Sequence, residues 1–171
     1  IRRQRQMCIR DRYSHTLAGF YSVNVQACCD SERRFTWMSA KFCGSTHDSI
    51  ALRDSSLGEV LLDSSHPLHA TRFWIAGDAA YKGIGNQCKS LLTPYSGRGL
   101  TVQKDSFNYH QSKLRIEIEG AFGALSRRWG ILHGPLRCAI KATDHAFLLI
   151  SAIFKLHNIS LANNIPCNEA V

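Results

Sequence analysis

The chain contains no pair of cysteines at the CxxC spacing, no apolar run long enough to span a bilayer, no secretion signal and no internal repeat. Its seven cysteines, at 8, 28, 29, 43, 88, 138 and 167, are odd in number. Unmatched, they argue against a disulfide scaffold and against a zinc ribbon, and they point to a reducing, intracellular compartment. Cys43 with His47, and His66 with His69, have spacings that could ligate zinc, but neither pair has a second to match it, so ordinary loop residues are the expectation. The longest apolar runs, such as Phe147 to Phe154, fall short of the roughly 20 residues that a transmembrane helix needs. No charged segment leads into an apolar stretch and a cleavage site, so no membrane partner is expected. What is present, 171 residues that are 44% hydrophobic, suits one globular domain with its own core.

A formal charge of +8 invites a nucleic-acid reading, but its distribution matters more than its size. Residues 1–12 hold Arg2, Arg3, Arg5, Arg10 and Arg12 against Asp11, which is half of that surplus. Read back into codons, RRQRQMCIRDR is similar to a commonly used sequencing-library adapter translated in one frame. The competing explanation is a basic arm that grips phosphates. The adapter reading is preferred here, so residues 1–12 are set aside from fold reasoning and the natural N-terminus is expected to be missing.

From Tyr21 to Cys29 the residues alternate, with Val23, Val25, Ala27 and Cys29 on one face, which predicts a half-buried strand. Asp30, Ser31 and Glu32 supply turn chemistry, and a second strand over Arg34 to Phe42 completes an antiparallel hairpin. Asp48 is the expected N-cap of a weak or interrupted helix running toward Leu62. A polar linker from Asp63 to Thr71 leads to the short apolar run Phe73-Trp74-Ile75-Ala76, a buried strand closed by Gly77-Asp78. Another short strand spans Ser90 to Thr93. The longest helix is expected from about Asp105 to Trp129, where Leu114, Ile118, Ala121, Phe122, Leu125 and Trp129 form one apolar stripe. A last helix, from Thr143 to about Ser160, is apolar nearly all round and is expected to lie buried between other elements. This order describes a mixed α/β layer with helices packed on a central sheet.

Two sets of acids could carry chemistry. Asp78 stands where a buried strand gives way to a loop, a place that can hold a carboxylate rigidly at a sheet edge; metal-dependent phosphodiester cleavage needs such placement, but so does an aspartate that merely turns the chain. Glu117 and Glu119 flank the apolar stripe of the long helix on opposite sides, and periodicity cannot choose between them. Most helical glutamates simply face solvent.

Six segments carry a resemblance: SVNVQACCD (22–30), GSTHDS (44–49), GDAAY (77–81), LLTPY (91–95), FNYHQSKLRIEIEGAFGALSRRWGIL (107–132) and LHNIS (156–160). In this order and spacing, from Gly19 to about Leu161, the sequence resembles the catalytic domain of PIF/Harbinger transposases and their relatives in the DDE superfamily. The resemblance implies an RNase H-like mixed sheet with flanking helices, and two aspartates and a glutamate that bind two divalent ions, Mg²⁺ or Mn²⁺. It implies a DNA endonuclease and strand-transfer activity, a nuclear location, and a separate DNA-binding segment or partner protein that supplies sequence recognition.

Carried over residue by residue, the second aspartate maps to Asp78 and the glutamate to Glu119, with Gly120 standing where an arginine is common. The first aspartate, which in the family opens an Asp-Gly-Thr stretch on the first central strand, has no counterpart between Tyr13 and Gly19. Asp30 is a substitute by its spacing from Asp78, but its place in a hairpin turn favours turn chemistry, and Asp48 is likewise expected to cap a helix. Arg115, Arg127, Arg128 and Lys113 could contact phosphates, although Arg127 and Arg128 would equally complement the helix dipole. Trp129 fits core packing, and His157 with Asn158 is expected to finish a packed helix. Residues 13–162 are therefore expected to be a partial nuclease domain lacking its first catalytic strand, inactive as it stands, followed by a frayed tail at 163–171. The alternative is a domesticated, non-catalytic module for nuclear interaction or DNA binding.

Overall fold

The computed structural model describes residues 4–9, 23–70, 74–133 and 143–166. Arg2, Arg3, Arg10 and Arg12, the start of the strand expected at Phe73, and the last five residues of the expected tail lie outside them. Five strands form one sheet: β1 (Gln4–Ile9), β2 (Val23–Cys29), β3 (Phe35–Cys43), β4 (Ile75–Ala76) and β5 (Leu91–Leu92). Their order is β3-β2-β1-β4-β5, antiparallel from β3 to β1 and parallel from β1 to β5. The fold is thus α/β, with a mixed sheet and helices on both faces.

Residues 4–9, set aside in reading the sequence, fill the centre of this sheet. The expectation that the central strand is absent is corrected at the level of the backbone. Its reason is general: the inner edges of β2 and β4 present N–H and C=O groups that need partners, and any extended segment can supply them whatever its side chains.

The hairpin is as the alternation predicts, but β2 is not half-buried; every residue from Asn24 to Cys29 is buried. The odd positions Val25, Ala27 and Cys29 pack on α4 (Val102–Arg128) and α5 (Thr143–Ala162), with Phe35, Ile118, Phe122, Leu125, Ile153 and Phe154. The even positions face the other layer, where Cys28 joins Leu52, Leu61, Ile75, Tyr81, Ile84 and Leu91. Asn24 and Gln26 read as the solvent side because they are polar. They are instead covered by α1 (Asp48–Arg53), Asn24 Nδ2 donating to Thr46 O and Asp48 Oδ1 and Gln26 Nε2 donating to Asp48 O.

The interrupted helix is two helices, α1 and α2 (Ser56–Leu62), with Ser55 capping the second. The cap of α1 is His47, whose ring accepts from Ser49 N; Asp48 is the acid of the first turn, which corrects its assignment as N-cap. A short α3 (Lys82–Gly85) follows β4. Helix α4 starts earlier than expected because Thr101 caps it through Lys104 N.

Helix α5 is not buried all round. Ala146, Ile150, Ile153, Phe154 and His157 face the core, whereas Phe147, Leu148, Leu156 and Ile159 are exposed. Contrary to the expectation from run length, residues His145–Ala162 form a helical window long and apolar enough, by length and composition alone, to cross a bilayer. In the fold one face of that helix completes the hairpin's core.

Candidate active site

Strands β4 and β5 run parallel and end side by side, and the chain leaves β4 through Gly77 into Asp78. Asp78 has extended backbone (φ −73°, ψ 167°) and precedes a short 3₁₀ turn over Ala79–Tyr81. Its side chain makes no capping hydrogen bond to that turn and is 42% exposed, so turn chemistry does not occupy it. Tyr81, at the far end of the motif, is fully buried and anchors the turn beneath it.

Helix α4 crosses this end of the sheet. Gln111, buried and lying on the helix's apolar side, donates from Nε2 to Gly77 O at 2.6 Å and lies 3.4 Å from Leu92 O, so one amide ties the ends of both strands to the helix. The carbonyl it holds is the one immediately before Asp78. Sequence reasoning missed Gln111, yet a signal existed: it sits three residues before Leu114 and seven before Ile118, a polar residue on the stripe that should be apolar.

One turn further along, Arg115 reaches Asp78 and Glu119 with the same nitrogen. Its Nη2 lies 3.2 Å from Asp78 Oδ2 and 3.4 Å from Glu119 Oε1. The two acids, distant in sequence, are therefore held around one cation, with both carboxylates open to solvent. Glu117 is not part of this group; its Oε2 accepts from Arg33 Nε at 3.1 Å, and Arg33 belongs to the turn between β2 and β3. The two glutamates that helical periodicity leaves alike thus face different partners, Glu117 the Arg33 guanidinium and Glu119 that of Arg115. Gly120 has a local reason: a Cβ there would come within 2.8 Å of Arg33 Cζ, so the glycine leaves room for that guanidinium to cross the helix.

The other sequence candidates are engaged elsewhere. Asp30 Oδ1 accepts from Glu32 N and Arg34 N, both at 2.9 Å, and Oδ2 pairs with Arg34 Nε at 3.0 Å. It follows Cys29, which pairs with Arg5 opposite Ala76; from that level β2 and β4 run in opposite directions, so Asp30 and Asp78 leave the sheet on different sides, and Asp30 spends its carboxylate within its own turn. Arg128 Nη2 donates to Ile165 O at 2.7 Å, tying α4 to the segment after α5, while Arg127 is exposed. Lys113 Nζ stands 4.4 Å from the Tyr109 ring centroid. Asn158 brackets Phe35, accepting from its N–H and donating to its C=O, and His157 Nε2 lies 3.3 Å from Arg33 O; the LHN motif docks α5 on the start of β3. His69 contacts Ser90 Oγ and Val60 O, and Cys43 contacts Ser45 and Thr46; among the described residues neither belongs to a group of three potential metal ligands.

Strand β1 passes directly beside this site. Arg5 pairs with Ala76, and continuing the parallel register by two residues sets Met7 level with Asp78; on its other side Met7 pairs with Ala27. Nothing in Gln4–Ile9 is an acid. Among the described residues no three His, Cys, Asp or Glu side chains come together in a way that could hold a metal ion.

A family model described as "DDE superfamily endonuclease" matches residues 2–158. The chain is similar to "Protein ALP1-like" of Arabidopsis thaliana, 28% identical over 125 residues, a match that covers 68% of this chain and 30% of that protein. The chain thus spans less than a third of the length of this relative. No solved structure matches.

Proposed function

The chain belongs to the DDE superfamily endonuclease family, and on that premise we propose that it is the greater part of a Harbinger-type transposase nuclease domain, an RNase H-like fold that acts on DNA in the nucleus. The observation that carries the reading is the convergence of Asp78 and Glu119 on Arg115 Nη2 where β4 ends. The sheet order supports it, with a central first strand flanked by an antiparallel hairpin and two parallel strands.

Members of this superfamily generally use divalent metals. In the complete domain Asp78 and Glu119 would be ligands for Mg²⁺ or Mn²⁺, hard cations that select carboxylate and phosphate oxygens. Two such ions about 4 Å apart need a bridging carboxylate and ligands on either side. Among the described residues the donor set, two acids sharing one arginine and a first strand without an acid, does not fit a pair of ions. The chain in this form accordingly binds DNA and does not cut it. On the same reading residues 4–9 take the place of a strand that carries the first aspartate in the family; sequencing the codons of residues 1–12 from genomic DNA tests this, and recovery of the same twelve residues would overturn it.

A nicking assay on supercoiled plasmid with Mg²⁺ or Mn²⁺ tests the site. The unaltered chain should leave the plasmid intact. Met7→Asp, which sets a third carboxylate level with Asp78, should yield metal-dependent nicking that Asp78→Asn or Glu119→Gln abolishes. Nicking undiminished by either substitution removes that residue from the site. A second reading, a domesticated module that binds DNA or a nuclear partner without cleavage, is favoured by Arg115 standing between the acids. It predicts tight DNA binding and no nicking even from a full-length protein with its natural first strand.

A further inference from the structure

The loop that leaves β5 carries an exposed aromatic ring on the same side of α4 as the acid pair. Tyr95 is 47% exposed, yet its backbone is fixed from both sides by one residue: its N–H donates to Asn108 Oδ1 at 2.9 Å and its C=O accepts from Asn108 Nδ2 at 3.0 Å. Phe107 supports the ring edge-on, with centroids 5.2 Å apart. Lys104 Nζ stands 5.2 Å from the ring centroid. Arg98 is exposed on the same loop, between Gly97 and Gly99, both in left-handed backbone.

Lys104, Asn108, Arg115 and Glu119 fall on one helical face at spacings of four, seven and four, so this assembly is in line with the acids rather than behind them. Seven residues of helix, about 10 Å, separate the level of Asn108 from that of Arg115. That is about three rises of a stacked nucleic-acid strand at 3.4 Å each. Lone exposed tyrosines are common on protein surfaces, but this one is clamped by two backbone hydrogen bonds and has a lysine ammonium against its ring.

We propose that Tyr95, held by Asn108 and flanked by Lys104 and Arg98, is a stacking platform for an unpaired DNA base a few nucleotides from the phosphate that faces Asp78 and Glu119. The proposal rests on the DNA reading above and deepens it, from DNA in general to a strand that is locally single. The chemistry distinguishes these forms. In a duplex both faces of each base are covered by neighbours, so a flat ring can stack only on a base that has left the helix, while lysine and arginine hold the phosphates on either side.

The test is equilibrium binding of the whole chain by fluorescence anisotropy in EDTA, on an oligonucleotide of about 15 nucleotides, the same strand with adjacent abasic sites at its centre, and the matching duplex. Tyr95→Ala should weaken binding to the intact strand about ten-fold, change binding to the abasic strand little, and be rescued by Tyr95→Phe. Tyr95→Leu, which keeps an apolar contact for Phe107, should lose affinity like the alanine variant and guards against simple misfolding. Lys104→Ala should lower the salt dependence by about one counterion without discriminating the two strands. Wild-type affinity in Tyr95→Leu, an equal loss on intact and abasic strands, or a preference for duplex overturns the stacking platform while leaving the DNA reading in place. Absence of binding to all three oligonucleotides overturns both.

Discussion

Asp78 and Glu119 approach one nitrogen of Arg115 from different elements, 3.2 Å away at the end of a strand and 3.4 Å away on a helix. The guanidinium stands where a shared cation would, so removing it should leave two neighbouring carboxylates that repel each other. Arg115→Met is therefore expected to lower the melting temperature by about 2–4 °C, the shift of about 1 kcal/mol for a chain of this size, since both acids are half-exposed and screened. Millimolar Mg²⁺ or Mn²⁺ should restore most of that loss, while the unaltered chain responds weakly. A variant whose melting ignores divalent ions would remove the acid pair from consideration as a metal site.

His157 gives the fold a pH dependence. Its side chain is fully buried, and desolvation holds its pKa below the ordinary value; the hydrogen bond to Arg33 O opposes this, and the nearby Arg128 charge adds to the lowering. The folded state therefore keeps the ring neutral while the unfolded chain takes up a proton near pH 6.5, so its contribution to stability is complete above that pH and declines below it, until the lowered folded value is reached. Urea melts should show stability falling below pH 6.5 at up to about 1.4 kcal/mol per pH unit, and His157→Gln should flatten that slope. An unchanged slope in the variant would assign the acid sensitivity elsewhere.

The break between α1 and α2 depends on a glycine. A Cβ on Gly58 would lie 2.1 Å from Leu52 O and 2.5 Å from Arg53 O, both backbone atoms that cannot step aside. Gly58→Ala should cost on the order of 3 kcal/mol, whereas Gly83→Ala, in α3 with nothing within 4 Å, should gain about 0.5–1 kcal/mol from helix propensity. Equal effects at the two positions in chemical denaturation would contradict the packing described for Gly58.

Among Cys28, Cys29, Cys43 and Cys88, alkylation should single out Cys43. It is exposed, and the hydroxyls of Ser45 and Thr46 lower its pKa, while burial beside Cys29 pushes the Cys28 thiol well up. Mass spectrometry after brief iodoacetamide treatment at neutral pH should find Cys43 modified first, with the other three protected until urea is added. Early labelling of Cys28 would mean that β2 is not covered on both faces.

Local rules reach a long way into this chain. The hairpin, the long helix and its stripe of Ile118, Phe122 and Leu125 follow from alternation and from 3.6-residue periodicity, because each expresses a single buried side. The same rules fail where burial is shared. Asn24 and Gln26 read as solvent-facing because polarity in a strand usually means exposure, and only the approach of α1 shows that their amides are spent on Thr46 and Asp48. Helix α5 fails in the opposite direction: its apolar exposed face, with Leu148 and Ile159, gives no local sign of which side the sheet will take.

The sequence by itself determined the hairpin, the long helix, the family motifs and the lack of an acid in residues 4–9, since these depend on residue identity and on spacing along one chain. Tertiary structure alone decided that Glu119 rather than Glu117 shares a cation with Asp78, that Gln111 fixes the strand end beside it, and that residues 4–9 occupy the centre of the sheet. A helix presents both flanks of its stripe alike, and a strand's backbone pairs without regard to its side chains. Which partner each meets is settled only when the chain folds around it.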